Sequence, residues 1–182
     1  MKPATPPTAS IVLIGPPGAG KTTVGGLLAR ELGLLFRDSD QAIEEKLGKK
    51  ISEIFVEEGE PFFRDHESAV VTDLLDDPTG VIALGGGAVL TKAVQDALER
   101  CKSQGTDVIF LDVSIAHAAP RVGFNKERPL LMVNPRGSWQ ELMNKRRPLY
   151  EGISTRIIDT NGSTPEEVVE KITFQLRMAE KK

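Results

Sequence analysis

A single cysteine, Cys101, stands in 182 residues. That excludes an internal disulfide and makes a reducing compartment the default expectation. Histidine is almost as scarce: His66 and His117 fall at no metal-ligand spacing with each other or with Cys101, so both read as surface or packing residues. No apolar run approaches the roughly 20 residues that cross a bilayer. The first nine residues hold three prolines and two threonines but no apolar centre of a signal peptide, and are expected to form a disordered tail. Positive charge is not in excess either. A formal net charge of −3 gives no general attraction to nucleic acid or anionic membranes. The lone Trp139 and lone Tyr150 are read as packing residues rather than as readers of bases. These absences point to a cytoplasmic protein with neither a nucleic-acid nor a membrane partner. With no exposed apolar stripe standing out, a monomer is expected.

What remains is an ordinary globular composition, 40% hydrophobic and 27% charged, in a length that fits one domain over residues 10–182. The charge is unevenly spread. Arg121 to Tyr150 carries seven Lys or Arg against two acidic residues, whereas Asp38 to Asp77 carries thirteen acidic against four basic. A basic segment inside an acidic chain suggests a local anionic ligand.

Short apolar runs alternate with longer amphipathic ones. Strands are predicted at Ser10–Ile14, Leu34–Arg37, Val81–Leu84, Asp107–Leu111 and Thr155–Ile158. Helices are predicted at Lys21–Leu32, Asp40–Leu47, Ser52–Glu58, Pro61–Leu75, Thr91–Arg100, Ser138–Tyr150 and Pro165–Met178, with Thr164 as N-cap of the last. Val-, Ile- and Leu-rich strands separated by helices imply a parallel sheet covered on both faces. Arg121–Gly137 fits neither period and reads as a lid.

Gly15-Pro16-Pro17-Gly18-Ala19-Gly20-Lys21-Thr22 satisfies G-x-x-x-x-G-K-[ST] between a predicted strand and a predicted helix. Glycines let backbone N–H groups converge on phosphate oxygens, and the helix N-terminus adds favourable partial charge. Lys21 is placed to reach the β and γ phosphates and Thr22 to ligate Mg²⁺. The GTPase reading fails: Asn125-Lys126-Glu127-Arg128 has Arg where N-K-x-D needs Asp, and Asp77-Pro78-Thr79-Gly80 precedes its strand instead of ending one.

Phe36-Arg37-Asp38-Ser39-Asp40 ends the second predicted strand, at the edge where open α/β sheets bind ligands. Two carboxylates there can divide two tasks, holding Mg²⁺ or its waters and accepting a proton from an acceptor hydroxyl. The competing reading makes one of them a helix cap. Asp112, closing the run Val108-Ile109-Phe110-Leu111, is a rival metal ligand. Gly85-Gly86-Gly87 permits close approach of backbone to ligand or, alternatively, a turn needing positive φ. Arg64, with Glu67 one turn later to orient it, joins Arg128 and Arg146 as three guanidinium groups for two anionic targets, the phosphates and an acceptor carboxylate.

As a set, GPPGAGKT, FRDSD, GEPFFRDHE, ALGGG, NKERPLL and KRRPLY resemble shikimate kinase, of the nucleoside-monophosphate-kinase-like P-loop group, from Ser10 to Met178. The resemblance implies a three-layer α/β/α fold of P-loop kinase type, with a five-stranded parallel sheet. It implies a substrate-binding helical region at about 38–76 and a mobile lid at about 121–137. The substrates it implies are MgATP and shikimate. Asp40 would bind and deprotonate the reacting hydroxyl, with Lys21 and Arg128 the other catalytic groups, and Asp38 would support Mg²⁺ beside Thr22. Pro17, Gly18, Ala19, Gly20, Lys21, Thr22, Arg121 and Arg128 would bind ATP, with the loop Asn161–Pro165 flanking adenine. Arg64 and Arg146 would hold the shikimate carboxylate beside Gly85, Gly86 and Gly87, and Ile51, Phe55 and Phe63 would wall the ring. Asp112 then ends its strand away from the metal. Ser163 stands where many relatives carry an adenine-contacting Arg. Another carboxylate kinase, such as a gluconate kinase, and a non-catalytic ATP-binding regulator are the alternatives.

Overall fold

A computed structural model describes residues 9–122 and 134–179. The expected tail, apart from its last residue, and most of the expected lid, including Arg128, lie outside the described residues.

Five parallel strands run β1 (Ser10–Ile14), β2 (Phe36–Asp38), β3 (Gly80–Ala83), β4 (Asp107–Asp112) and β5 (Arg156–Asp159), ordered β2-β3-β1-β4-β5. The helices are α1 (Lys21–Leu32), α2 (Ser39–Leu47), α3 (Ile51–Glu57), α4 (Glu60–Asp76), α5 (Lys92–Ser103), α6 (Ile115–Val122), α7 (Pro135–Ile153) and α8 (Pro165–Ala179). On one face of the sheet α1 packs with α8; on the other, α4, α5 and α7 meet around a 3-10 turn at Ala88–Leu90. The central strands are apolar on both faces because helices cover both: Ile11 to Ile14 of β1 and Val108 to Leu111 of β4 are all buried. Each such side chain contributes roughly 1.5–3 kcal/mol. Edge strands β2 and β5 are only partly covered.

The ends of the elements follow local chemistry. Asp38 caps α2 by accepting from the backbone N–H groups of Asp40 and Gln41. Thr164 and Glu167 form a reciprocal capping box at α8, with bonds of 3.2 and 2.8 Å. Pro61 falls in the first turn of α4, where its missing N–H costs nothing. Two expectations need correction. The stretch taken as irregular from Arg121 to Gly137 is helical at both ends, in α6 and α7. Pro120 and a span of only eight residues had hidden α6 from a periodicity argument. Helix α7 starts three residues before the expected Ser138 and ends three after the expected Tyr150, and it carries Pro148 within it, as expected, since Pro148 removes a single intrahelical bond.

With β1 central and connections leaving to either side, the crevice lies at the carboxyl ends of β1, β3 and β4. No helix among the described residues is long and apolar enough to cross a membrane.

Candidate active site

The turn between β1 and α1 forms a cradle. Gly15, at φ +146°, lies so near β4 that a Cβ there would stand 2.6 Å from the Leu111 carbonyl oxygen, so only glycine fits. The Lys21 ammonium folds over the loop and donates to the carbonyls of Gly15 at 2.7 Å and Pro16 at 3.0 Å. Thr22 follows on the first turn of α1, its hydroxyl donating to Asp38 Oδ2 at 2.7 Å. Asp38 therefore serves both readings: one oxygen caps α2 and the other meets Thr22.

This arrangement fits MgATP. A convergent backbone turn, a lysine and a helix N-terminus suit a polyphosphate. A hydroxyl beside one carboxylate suits Mg²⁺, which keeps several waters and takes its other ligands from phosphates. Among the described residues no group of three or more His, Cys, Asp or Glu could hold a metal by itself.

Beside the cradle opens a cleft of about 500 Å³ lined by Pro17, Asp40, Phe63, Arg64, Gly86 and Arg146 among others. The expected apolar wall of Ile51, Phe55 and Phe63 also faces it. Asp40 sits on the first turn of α2, and its carboxylate crowds Gly85: a Cβ there would fall 2.6 Å from Asp40 Oδ1 and 2.7 Å from Glu67 Oε1. At Gly87 a Cβ would collide with the Arg64 guanidinium. None of the three glycines has positive φ. The absent side chains of Gly85 and Gly87 make room for charged groups and that of Gly86 for the Gly15–Pro17 loop, so the alternative of a turn needing positive φ is set aside. The Gly85 N–H donates to the fully buried Ser39 hydroxyl at 2.8 Å, fixing α2 and hence Asp40 against this loop.

Arg64 donates to Glu67 at 2.5 Å, as its helical spacing predicted, and also to Glu60 at 3.2 Å. Burial opposes its charge, but Glu67 and Glu60 outweigh that and raise its pKa. Glu67, only 2% exposed, is pushed up by burial despite Arg64. Arg146, 8% exposed, is pushed down by burial and by like charge from Arg64, with Tyr150 and Glu67 offsetting in part. Two guanidinium groups are thus held close in a poorly solvated wall. The charge of an anionic group entering there would offset both the desolvation cost of Arg146 and the repulsion.

Other sequence-predicted residues find different surroundings. Asp112 is gripped by Arg147 through bonds of 2.6 and 3.0 Å, so it is an ion-pair partner, in line with its removal from the metal site. Arg121 lies on α6 and donates to the carbonyls of Thr160 and Ser163, both at 3.3 Å, which places it against the loop expected to flank adenine. The Ser163 hydroxyl accepts from Lys171 at 2.8 Å. His66 bonds the Phe62 carbonyl and His117 the Ser114 hydroxyl, as packing residues do.

The family model for shikimate kinase matches residues 17–177. The chain belongs to the shikimate kinase family. It is 49% identical to the shikimate kinase of Streptomyces coelicolor over 160 residues, covering 88% of this chain and 91% of the relative. It is 47% identical to that of Salinispora arenicola over 165 residues, covering 91% and 96%. Its structure is similar to that of the shikimate kinase from Acinetobacter baumannii in complex with shikimate, with TM-score 0.86, 37% identity and 96% of each chain covered. A gluconokinase from Sinorhizobium meliloti shares the fold at TM-score 0.60 and 19% identity, covering 96% of this chain and 95% of that one.

Several residues of this kinase were not singled out for the site by sequence. Ser39 was hidden inside the D-x-D motif, where the aspartates draw attention. Leu142 lines the cleft from α7, four residues before Arg146, a helical neighbour that the i, i+4 rule could have supplied. Trp139 and Tyr150, expected only to pack, each donate to a loop carbonyl of the site. No signal in the sequence pairs them with those loops.

Proposed function

We propose that the kinase transfers the γ-phosphoryl group of ATP to the 3-hydroxyl of shikimate, giving 3-phosphoshikimate and ADP, with Asp40 as the acceptor's base. The observation that carries this reading is the cleft wall, where Asp40 stands beside the cradle and half-buried Arg64 and buried Arg146 face the same space. Family membership and a shikimate-bound neighbour of the same fold support it.

Arg64 and Arg146 grip the carboxylate of shikimate, and this fixes which hydroxyl meets Asp40. Asp40 accepts the proton as the hydroxyl oxygen bonds to phosphorus and the bond to ADP breaks. Lys21 holds the phosphate chain, and Thr22 with Asp38 supports Mg²⁺, which when bound neutralises charge on the phosphates. Pro17, Gly18, Ala19 and Gly20 supply the loop that encloses them, while Arg121 steadies the base-side loop. Arg128 is assigned to the phosphates on the resemblance alone. Residues 10–182 act as one kinase domain, with acceptor recognition concentrated in residues 38–76, in a cytoplasmic setting consistent with a lone, buried Cys101.

A coupled ADP-release assay with shikimate, gluconate and nucleoside monophosphates tests the acceptor. Strong stimulation by shikimate alone is expected. Stimulation by gluconate instead would establish the rival kinase, and no stimulation by any acceptor would establish an ATP-binding regulator.

A further inference from the structure

Helix α7 is tied to both loops of the site by hydrogen bonds that no catalytic role requires. The Trp139 indole N–H donates to the Pro17 carbonyl at 3.0 Å, with Trp139 only 2% exposed. The buried Tyr150 hydroxyl donates to the Gly86 carbonyl at 2.6 Å, and its ring stacks on Phe110. Trp139 and Tyr150 are eleven residues apart, about three helical turns, so they share one side of α7. Arg146, about two turns beyond Trp139, lies on that side between them. The loops they reach also touch: a Cβ on Gly86 would stand 3.1 Å from Pro17 Cδ.

Pro17 belongs to the phosphate cradle and also lines the cleft. The cradle has its own supports in β1, α1 and the close contact of Gly15 with β4. Packing alone would be met by any large apolar side chain at position 139, whereas an indole adds a donor aimed at one particular carbonyl. That donor fixes the register of α7 along the cradle. Register matters because Arg146 is long and rotamer-rich, and a bidentate grip tolerates displacements of only about 0.5 Å.

We propose that Trp139 is a positioning residue: its hydrogen bond to Pro17, paired with that of Tyr150 to Gly86, sets α7 across the two loops and so aligns Arg146 with the acceptor carboxylate. The inference rests on the shikimate kinase reading. It goes beyond that reading in making the cradle part of the acceptor's anchor.

Two changes at one position test it. Trp139→Phe shortens the ring and removes the donor; replacing Trp139 with benzothienylalanine, by non-natural incorporation, removes the N–H at nearly constant shape. Both should raise KM for shikimate about tenfold, while kcat and KM for MgATP stay within about twofold. In an Arg146→Ala background the same changes should add less than about twofold, because the group being aligned is gone. An unchanged KM for shikimate, or equal rises in both KM values, overturns the proposal. So does full additivity with Arg146→Ala. Should Trp139→Phe fail to fold, the benzothienylalanine variant, which keeps the shape and lacks only the N–H, decides by the same readouts. Failure of the underlying reading looks different, since the wild-type enzyme would then release no ADP in response to shikimate.

Discussion

Charged side chains on the two flanks of the P-loop live in opposite conditions. Toward β2 and β3, Glu67 and Arg146 are buried and Arg64 nearly so, with Arg64 and Glu67 tied to each other and crowding Gly87 and Gly85. Toward β4 and β5, Arg121 and Lys171 are exposed and donate mainly to the backbone of the loop after β5. A buried ion in a shaped wall discriminates, because a ligand that fails to match it leaves an uncompensated charge. An exposed cation is screened by water and contributes modestly. On the proposed function, the acceptor flank is therefore built for selectivity, and the base flank for a ligand already held by its phosphates.

The largest effect should come from Asp40→Asn, which keeps the shape but removes the proposed base. Turnover should fall by roughly 10²–10⁴-fold in steady-state assays; near-normal turnover would remove Asp40 from the base's role. Arg146→Ala should come next. Losing one charge-assisted grip should lower kcat/KM for shikimate by about 10- to 150-fold and leave KM for MgATP nearly unchanged. Equal losses for both substrates would break the contrast between flanks. Smallest is Arg121→Ala, with an expected two- to fivefold rise in KM for MgATP and none for shikimate. A change as large as that of Arg146→Ala would show the base flank to be as selective as the acceptor flank.

Much of this was legible in the chain. Lys21–Leu32 and Ser10–Ile14 fall where the P-loop and its flanking periodicities place them, since that motif specifies strand, turn and helix together. Asp38 and Asp40 were visible as a pair, and Arg64 with Glu67 followed from helical spacing. The purpose of Gly85-Gly86-Gly87 was not. Glycine at positive φ and glycine beneath a guanidinium look identical in a sequence, and the second arises only when α2 and α4 converge on the loop. Nor could the bonds from Trp139 to Pro17 and from Tyr150 to Gly86 be read, because they join residues far apart in the chain. Spacing alone left Asp112 open for the same reason; the family resemblance took it away from the metal, and its partner Arg147 is visible only in the fold.

The central claim is that guanidinium groups largely withdrawn from solvent select an acceptor by its carboxylate. It is tested most directly by measuring kcat/KM for shikimate and for shikimate methyl ester, on the wild-type enzyme and on Arg146→Ala. The account predicts that the wild-type enzyme disfavours the ester by roughly 10- to 150-fold and that the variant nearly loses this preference. A variant that discriminates as sharply as the wild-type enzyme would contradict it.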